Sequence, residues 1–402
     1  MNAMSRIDNS RFARWWFTVD RLTLGAVCLL VGCGYMMVLA ASPSVADHLV
    51  GVTRESFMIK QLFFLAVAVA IIVGVSMLPT RRVRGLAIAG CAVALTATFL
   101  TLVIGVGAKG ATRWLSVAGF RLQPSEFLKP LFAVTTAWLI ARQRRTPRFP
   151  GIWIAFGLLA AILLILKQQP DVGMIAIVLA VFLTQLFISG IHLMWFAVLL
   201  GCASGAAVAL YTMLRHVRGR FDMFWNQKAN YQIGKVMDAF AGGGWFGRGP
   251  GEGIVKETIP DVHADVVFAV VGEEYGLVVC LLLIGVFGFI VLRGLLRLTR
   301  EQDMFVVLGC TGLVAGFGLQ TMVNLFSTLG LMPTKGMTLP FISYGGSSAL
   351  AVGLGMGMLL ALTRARFHDG RLDEDRFYDD RFNQHRRNEP RHNEPRAREP
   401  GA

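Results

Sequence analysis

Long uninterrupted apolar blocks dominate this sequence, and many are close to the roughly 20 residues that an α-helix needs to cross a bilayer. Hydrophobic residues make up 54% of the 402-residue chain and charged residues only 16%, which is too few charges for the surface of a soluble protein this long. The mean hydropathy of +0.57 agrees with this interpretation. The sequence therefore predicts an all-α polytopic membrane protein.

The apolar blocks predict about ten transmembrane helices. They lie at roughly 22–41, 57–78, 84–106, 126–142, 152–168, 172–190, 192–214, 266–293, 304–328 and 343–364. The block at 126–142 is short and gives the weakest signal. We expect a cytoplasmic segment at 1–21, a membrane domain at 22–364 with a long extracytoplasmic loop at 215–264 between helices seven and eight, and a disordered cytoplasmic tail at 365–402.

Arginines between the blocks predict the orientation, because cytoplasmic loops are enriched in Lys and Arg. With ten spans, five basic segments fall on one side, which places both termini in the cytoplasm. These segments contain Arg6, Arg11, Arg14 and Arg21; Arg81, Arg82 and Arg84; Arg142, Arg144, Arg145 and Arg148; Arg293, Arg297 and Arg300; and Arg364 and Arg366.

The net charge of +14 is explained largely by these loops. Nucleic-acid binding would require basic residues gathered on a soluble domain, and the sequence contains no such domain. The six cysteines lie inside apolar blocks without a CxxC or Cys/His pattern, so they are interpreted as small core residues.

Two predicted outer loops carry cations against the charge rule, which suggests an anionic ligand outside the membrane. The alternative is that they balance nearby Asp and Glu residues. The cations are Lys109, Arg113 and Arg121 in the first loop, and Arg215, Arg218, Arg220, Lys228, Lys235, Arg248 and Lys256 in the second.

Ionisable groups at membrane depth are costly and therefore mark candidate sites. Glu126 and Lys129 are three residues apart at the start of a predicted helix, so they share a face and can pair. Pro124 can open that helix and Ser125 can cap it. Asp171 follows a Gln-Gln-Pro turn and either stabilises that turn or contributes to an outward cavity.

Asp265 stands where the long outer loop enters span eight, and Glu273 follows near the same helix face about two turns deeper. A partly desolvated carboxylate at this position has a pKa raised toward that of a useful general base. Asp265 is equally suited to be the N-cap of its helix.

The segment 333–348 contains two prolines and several glycines and leads into span ten. Membranes tolerate irregular backbone only where it is buried or lines a wet cavity. Lys335 adds an outward cation and Ser343 a hydroxyl, so the segment is either a structural kink or part of a binding site. The glycine clusters at 242–244 and 247–251 lack the context of a nucleotide-binding loop and are interpreted as turns.

Four motifs in this order resemble the SEDS (shape, elongation, division and sporulation) family of peptidoglycan glycosyltransferases. They are Gln123-Pro124-Ser125-Glu126 with Lys129, Gln169-Pro170-Asp171, His263-Ala264-Asp265, and Pro340 to Ser348. The resemblance covers roughly residues 20–365, and the sequence of residues 334–340 is more similar to the cell-division branch than to the elongation branch.

This resemblance implies a ten-helix fold, lipid II as substrate, a catalytic aspartate at Asp265 and an important pair at Glu126 and Lys129. It also implies a cognate class B penicillin-binding protein (a transpeptidase with a single membrane anchor), other divisome proteins and an inner-membrane location at the septum. The expected chemistry is general-base catalysis by Asp265, with undecaprenyl pyrophosphate leaving and with cations or a divalent metal, Mg²⁺ or Mn²⁺, stabilising it.

Three other functions fit the same features. A lipid II flippase also explains many spans, intramembrane charges and an outer cationic cavity. A scaffold that binds division partners needs no chemistry at Asp265. An elongation polymerase would run the same reaction in another assembly.

Overall fold

The computed structural model describes residues 11–48, 54–108, 111–117, 120–213, 218–219, 222, 231–255, 266–332 and 336–364. Within them the helices are α1 (Arg11–Thr18), α2 (Arg21–His48), α3 (Arg54–Ser76), α4 (Thr80–Ile104), α5 (Pro124–Arg145), α6 (Gly151–Gln168), α7 (Val172–Ile188), α8 (Leu193–Met213), α9 (Tyr231–Gly243), α10 (Val267–Leu298), α11 (Met304–Thr328) and α12 (Gly346–Leu362).

Helices α2 to α8 and α10 to α12 stand at the ten places where the sequence predicts spans. Among the residues that the structure describes, six helical segments are long and apolar enough to cross a membrane: Arg21–Ala40, Met58–Ser76, Thr80–Ile104, Gly151–Gln168, Val267–Leu298 and Met304–Thr328. The multi-pass, all-α architecture is confirmed. The number of crossings, the N-terminal segment 1–21 and the tail 365–402 stay predictions.

Helix α5 is the central helix of the bundle. It packs against α4, α6, α7, α11 and α12, and most of its residues from Pro124 to Ala141 are buried. Other protein helices, rather than lipid, therefore surround it. This explains why α5 can carry polar residues at membrane depth, because their partners are neighbouring side chains.

Both segments expected to be loops contain regular structure. Residues 106–122 form a three-stranded antiparallel sheet of β1 (Val106–Ala108), β2 (Ala111–Val117) and β3 (Phe120–Leu122), in the order β1-β2-β3. The long segment between α8 and α10 contains α9, which buries Val236 and Ala239. Short strands and one short amphipathic helix produce little periodicity, so the sequence interpretation missed them.

The described parts of the predicted cytoplasmic segments meet at one end of the bundle, called here the basic end. Their contacts are Asp20–Arg293, Arg297–Thr363, Arg364–Met77 and Arg145–Asp303. The arginine-rich segments after α5, α10 and α12 and the start of α2 therefore share a side, as the charge pattern predicts.

Asp20 is the centre of the strongest ion cluster at the basic end and is only 2% exposed. Its carboxylate accepts two hydrogen bonds of 2.8 Å from Arg293 and one of 2.7 Å from Thr23 Oγ1. It also lies 2.9 Å from Arg297 Nε. Burial acts to raise the pKa of Asp20, but the bonds from Arg293 and Thr23 and the charge of Arg297 outweigh it and hold the pKa below its usual value. The cluster joins the start of α2 to the end of α10.

We expect Asp20→Asn to lower the free energy of unfolding by about 2–3 kcal/mol, because two arginines lose their counter-charge. Since the folded pKa is depressed, this stabilisation is present above the unfolded pKa of about 3.9 and is lost as the pH falls through the folded pKa. The measurement is the apparent melting temperature of the detergent-purified protein between pH 7 and pH 3. Asp303→Asn is the control, because its partner Arg145 is 68% exposed and Asn still caps α11. Equal losses in the two variants would contradict the prediction.

Candidate functional site

A polar cluster lies inside the bundle between α5 and α11. Lys129 Nζ donates to Glu126 Oε2 at 2.8 Å and to Gln320 Oε1 at 2.6 Å. The predicted ion pair is thus present, and its lysine side chain is 9% exposed. Pro124 opens α5 as expected, whereas Gln123 rather than Ser125 occupies the N-cap position.

Gln320 connects this pair to the irregular segment before α12. Its Nε2 donates to the carbonyl of Thr338 at 3.0 Å and lies 3.4 Å from Ser348 Oγ. Thr338 Oγ1 in turn donates to Ser348 Oγ at 2.6 Å. One amide side chain therefore accepts from Lys129 and donates to the 336–348 segment. Gln320 was not among the residues predicted from the sequence, although a glutamine inside an apolar block at membrane depth was the available signal.

Ser343 shapes the turn that leads into α12. Its hydroxyl accepts a hydrogen bond of 2.8 Å from the backbone N–H of Leu339, and the side chain is buried. Between these residues Phe341 is buried with φ of 62°, a conformation that L-residues rarely adopt. Residues 339–343 are thus irregular backbone buried in the protein, as membrane depth requires.

A cavity of about 40 Å³ adjoins the cluster and is lined by Glu126, Lys129 and Gln320 together with residues of α11 and α12. This volume is large enough for an ordered water molecule but too small for a sugar ring. In this conformation Lys129 serves packing between helices, with its charge directed at Glu126 and Gln320.

Asp171 stabilises the α6–α7 turn. Its carboxylate accepts from the backbone N–H of Met174 at 3.2 Å and lies 3.3 Å from Arg113 Nη1. Arg113 also donates to the carbonyls of Gln169 and Pro170 at 2.8 and 2.7 Å. Arg113, one of the cations predicted to face outward, therefore joins β2 to this turn, and these contacts favour the interpretation of Asp171 as a turn-stabilising residue.

Helix α10 is interrupted at Gly276, which has φ of 78° and ψ of −179°. The glycine-rich segment 244–249 supplies the missing backbone partners. On the C-terminal side of the break, the N–H groups of Leu277 and Val278 donate to the carbonyls of Gly244 and Trp245. On the N-terminal side, the carbonyls of Glu273 and Glu274 accept from the N–H groups of Arg248 and Gly249. All four hydrogen bonds are within 3.2 Å. The glycine clusters at 242–244 and 247–251 were interpreted from the sequence as turns. The segment 244–249, which overlaps both, is built into the hydrogen-bond ladder of α10.

The side chains of Glu273 and Glu274 fix the rest of this segment. Glu273 Oε1 accepts from the backbone N–H groups of Ile254 and Val255 at 2.8 Å, and Glu274 Oε2 accepts from Gly251 N–H at 3.0 Å. Both carboxylates are buried. Two adjacent glutamates in an apolar helix, with a glycine-rich segment upstream, were the sequence signal for this arrangement.

The other candidate residues are placed as follows. Arg218 pairs with Asp222 at 3.8 Å on the surface, and Arg248 Nε donates to the carbonyl of Gly242 at 3.1 Å. Asp265, Lys228, Lys256 and Lys335 lie outside the described residues. Helix α10 begins at Val267 with Val266 at the N-cap position and no side-chain cap.

No group of three or more His, Cys, Asp or Glu residues able to hold a metal ion occurs among the residues that the structure describes. The described carboxylates at the candidate sites have other partners: Glu126 has Lys129, Asp171 has Arg113, and Glu273 and Glu274 accept from backbone N–H groups. This donor set does not fit a Mg²⁺ or Mn²⁺ site.

These features define a multi-pass membrane protein with a buried polar cluster and a broken helix that residues 244–249 complete. A family model described as "Cell cycle protein", which covers FtsW, RodA and SpoVE, matches residues 20–368. The chain belongs to this family, which confirms the resemblance to SEDS proteins.

Relatives named "Probable peptidoglycan glycosyltransferase FtsW" match nearly the whole chain. The protein from Caulobacter vibrioides is 40% identical over 91% of this chain and 94% of its own length. The protein from Thioalkalivibrio sulfidiphilus is 33% identical over 88% of this chain and 92% of its own. These matches support the cell-division branch.

Two solved structures share the fold. A chain from a peptidoglycan synthase complex that couples polymerization and crosslinking matches with a TM-score of 0.72 and 25% identity, over 87% of this chain and 99% of its own. RodA of Thermus thermophilus matches with a TM-score of 0.65 and 24% identity, over 88% of this chain and 99% of its own.

We expect Gln320→Met to lower stability by about 1–3 kcal/mol, because Lys129 loses an acceptor and the Thr338 carbonyl loses a donor. The measurement is the apparent melting temperature in detergent. Met322→Leu, on an exposed face of the same helix, is the control and should change stability by less than about 1 kcal/mol. A Gln320→Met protein as stable as this control would show that the cluster does not hold α5 against α11.

We expect Gly247→Ala to destabilise the protein by about 2 kcal/mol or more. Gly247 has φ of 81°, and a Cβ there would clash with the carbonyl oxygen of Glu274. Gly244→Ala is the matched control, since Gly244 also has positive φ but a Cβ there meets nothing within 4 Å, so only about 1 kcal/mol is expected. Limited proteolysis of the 231–255 segment, read beside thermal unfolding, checks the difference. Equal effects of the two substitutions would contradict the insertion of this segment into α10.

Proposed function

We propose that the protein is a peptidoglycan glycosyltransferase that polymerises lipid II into glycan strands during septal wall synthesis. The observation that carries this proposal is the similarity to the Caulobacter vibrioides protein of that name, at 40% identity over 91% of the chain. The buried polar cluster next to an outer segment fits a reaction whose sugars lie outside the bilayer while the lipid tail stays within it.

In the proposed reaction, the 4-hydroxyl oxygen of the GlcNAc of one lipid II attacks the anomeric carbon of a second, lipid-linked glycan. The bond from that carbon to the pyrophosphate oxygen breaks, and undecaprenyl pyrophosphate leaves with the electron pair. The hydroxyl proton passes to Asp265 as general base, and the anomeric centre is inverted. Such a base contributes about 10²–10⁴ in rate.

The assignment of Asp265 rests on the SEDS resemblance and on its neighbours. Asp265 is bonded to Val266, a buried residue directly before α10. The outer piece of α10, from Val267 to Gly276, is tied to segment 244–255 through the backbone and carboxylates of Glu273 and Glu274. These bonds fix the start of α10 against segment 244–255. A residue that acts as general base requires such fixed geometry.

Glu126 and Lys129 act in this proposal by positioning. Their cluster sets the 336–348 segment against α5 and α11, and Lys335 directly precedes the described part of that segment. Because the charge of Lys129 is directed at Glu126 and Gln320, other cations would stabilise the leaving pyrophosphate. Those proposed are Arg218, Lys228, Arg248, Lys256 and Lys335.

The proposed location is the bacterial inner membrane at the septum, with the basic end and both termini in the cytoplasm. The proposed partners are lipid II, the cognate class B penicillin-binding protein, other divisome proteins and membrane lipid. The similarity to a chain of a peptidoglycan synthase complex supports a transpeptidase partner. The described carboxylates of Glu126 and Asp171 offer no ligand set to a divalent cation, because they pair with Lys129 and Arg113.

We expect the purified protein, with its cognate transpeptidase, to polymerise labelled lipid II in detergent. Asp265→Asn should reduce the rate by about 10²-fold or more, because the attacking hydroxyl loses its base. Asp261→Asn, four residues earlier in the same segment, is the matched control and should keep near wild-type activity. Gel analysis of the glycan strands measures both.

Three results would contradict the proposal. Polymerisation by Asp265→Asn at near wild-type rate would overturn the base assignment. Failure of the folded wild-type complex to polymerise in detergent, where no transport is possible, would favour the flippase. Normal septation by cells carrying only Asp265→Asn would favour the scaffold.

A further inference from the structure

An open groove of about 710 Å³ runs between α2 and α10 and shares no lining residue with the cavity beside the polar cluster. Arg21 lies at one end of its wall on α2, and Leu29 lies at the other end. On α10 the wall extends from Phe289 to Val278. Apart from Arg21, the lining side chains are apolar.

Two glycines create the space in this groove. Gly25 on α2 and Gly285 on α10 both line it, and a Cβ at either position would meet nothing within 4 Å. Larger side chains there would fill the groove without displacing the helices. The exposed leucines beside them, including Leu22 and Leu282, present hydrocarbon to whatever occupies it.

The length of the groove matches one leaflet. From Arg21 to Leu29 α2 rises about 12 Å, and from Val278 to Phe289 α10 rises about 16 Å. Half of the hydrocarbon core of a bilayer is about 15 Å thick. The groove therefore begins at the basic end and stops near the middle of the membrane. This shape fits a lipid acyl chain, whereas a partner's transmembrane helix needs a surface through both leaflets.

The mouth of the groove carries fixed positive charge. Arg21 Nε donates to the carbonyl of Trp16 at 3.1 Å, and the guanidinium lies 5.2 Å from the Trp16 ring centre and 5.3 Å from that of Phe17. The adjacent carboxylate, Asp20, is directed to Arg293 and Arg297.

Helix α1 extends the same surface. It contains no acidic residue, exposes Arg14, and exposes Phe12 and Trp16 as apolar side chains. Arginines beside aromatic residues on a short amphipathic helix are typical of helices that lie in the interface of a membrane with anionic lipids.

We propose that this groove binds an anionic phospholipid of the leaflet at the basic end. One acyl chain lies along Gly25 and Gly285, and the phosphate-bearing headgroup contacts Arg21. Charge complementarity selects the headgroup, because an apolar groove alone does not distinguish one phospholipid from another. The site is independent of the proposed catalytic chemistry at the other end of the bundle.

The test is native mass spectrometry of the full-length protein in mixed micelles of phosphatidylglycerol and phosphatidylcholine with identical chains. We expect the wild-type protein to retain about fivefold or more phosphatidylglycerol than phosphatidylcholine, because one arginine near an anionic headgroup contributes about that factor in affinity. Arg21→Gln should reduce this preference to near one. Gly285→Leu should reduce the occupancy of both lipids.

The controls are matched in chemistry. Arg82→Gln removes an exposed cation at the basic end outside the groove, and Gly74→Leu adds the same side chain at an open glycine of α3. Both should behave as wild type, and equal melting temperatures show that all variants are folded.

The proposal is overturned by equal retention of the two lipids, by an unchanged preference in Arg21→Gln, or by unchanged occupancy in Gly285→Leu. It is also overturned if a photocrosslinker at position 285 captures the single anchor of the partner transpeptidase in the complex while phosphatidylglycerol is released, because the occupant is then a helix.

Discussion

The hydrogen bonds of Lys129 determine how the centre of the bundle is assembled. An ammonium group at membrane depth must be neutralised and hydrogen-bonded, and Glu126 and Gln320 satisfy it. Because Gln320 also holds the Thr338 carbonyl, the same cation fixes the irregular backbone before α12. Helices α5, α11 and α12 and the turn at Ser343 thus share one polar centre.

This centre explains which spans the sequence could predict. Hydropathy finds helices that face lipid, such as α4 and α10, since their outward residues must be apolar. Helix α5 faces protein on all sides, so its sequence is free to contain Glu126, Lys129 and Pro130, and it gave the weakest signal. Its position was predicted from a short apolar block, and the alternation of basic segments agreed with it, because the five segments share a side when there are ten spans.

Local spacing predicted local contacts well, and long-range contacts poorly. The pair of Glu126 and Lys129 follows from helical periodicity, and the stabilised turn at Asp171 follows from its Pro-Asp sequence. The contact of Lys129 with Gln320 spans 191 residues, and that of Arg113 with the α6–α7 turn spans more than 50. Their formation depends on how helices pack, which periodicity does not encode.

The break at Gly276 has a consequence for how the protein is made. Across the break, the carbonyls of Glu273 and Glu274 and the N–H groups of Leu277 and Val278 pair with residues 244–249 instead of with each other. In hydrocarbon, each such group left unpaired costs several kcal/mol. Residues 244–249 leave the ribosome before α10 does, so they are available when it inserts. The unit that enters the bilayer is therefore α10 together with the segment that completes it, and biogenesis of this helix is a tertiary folding event.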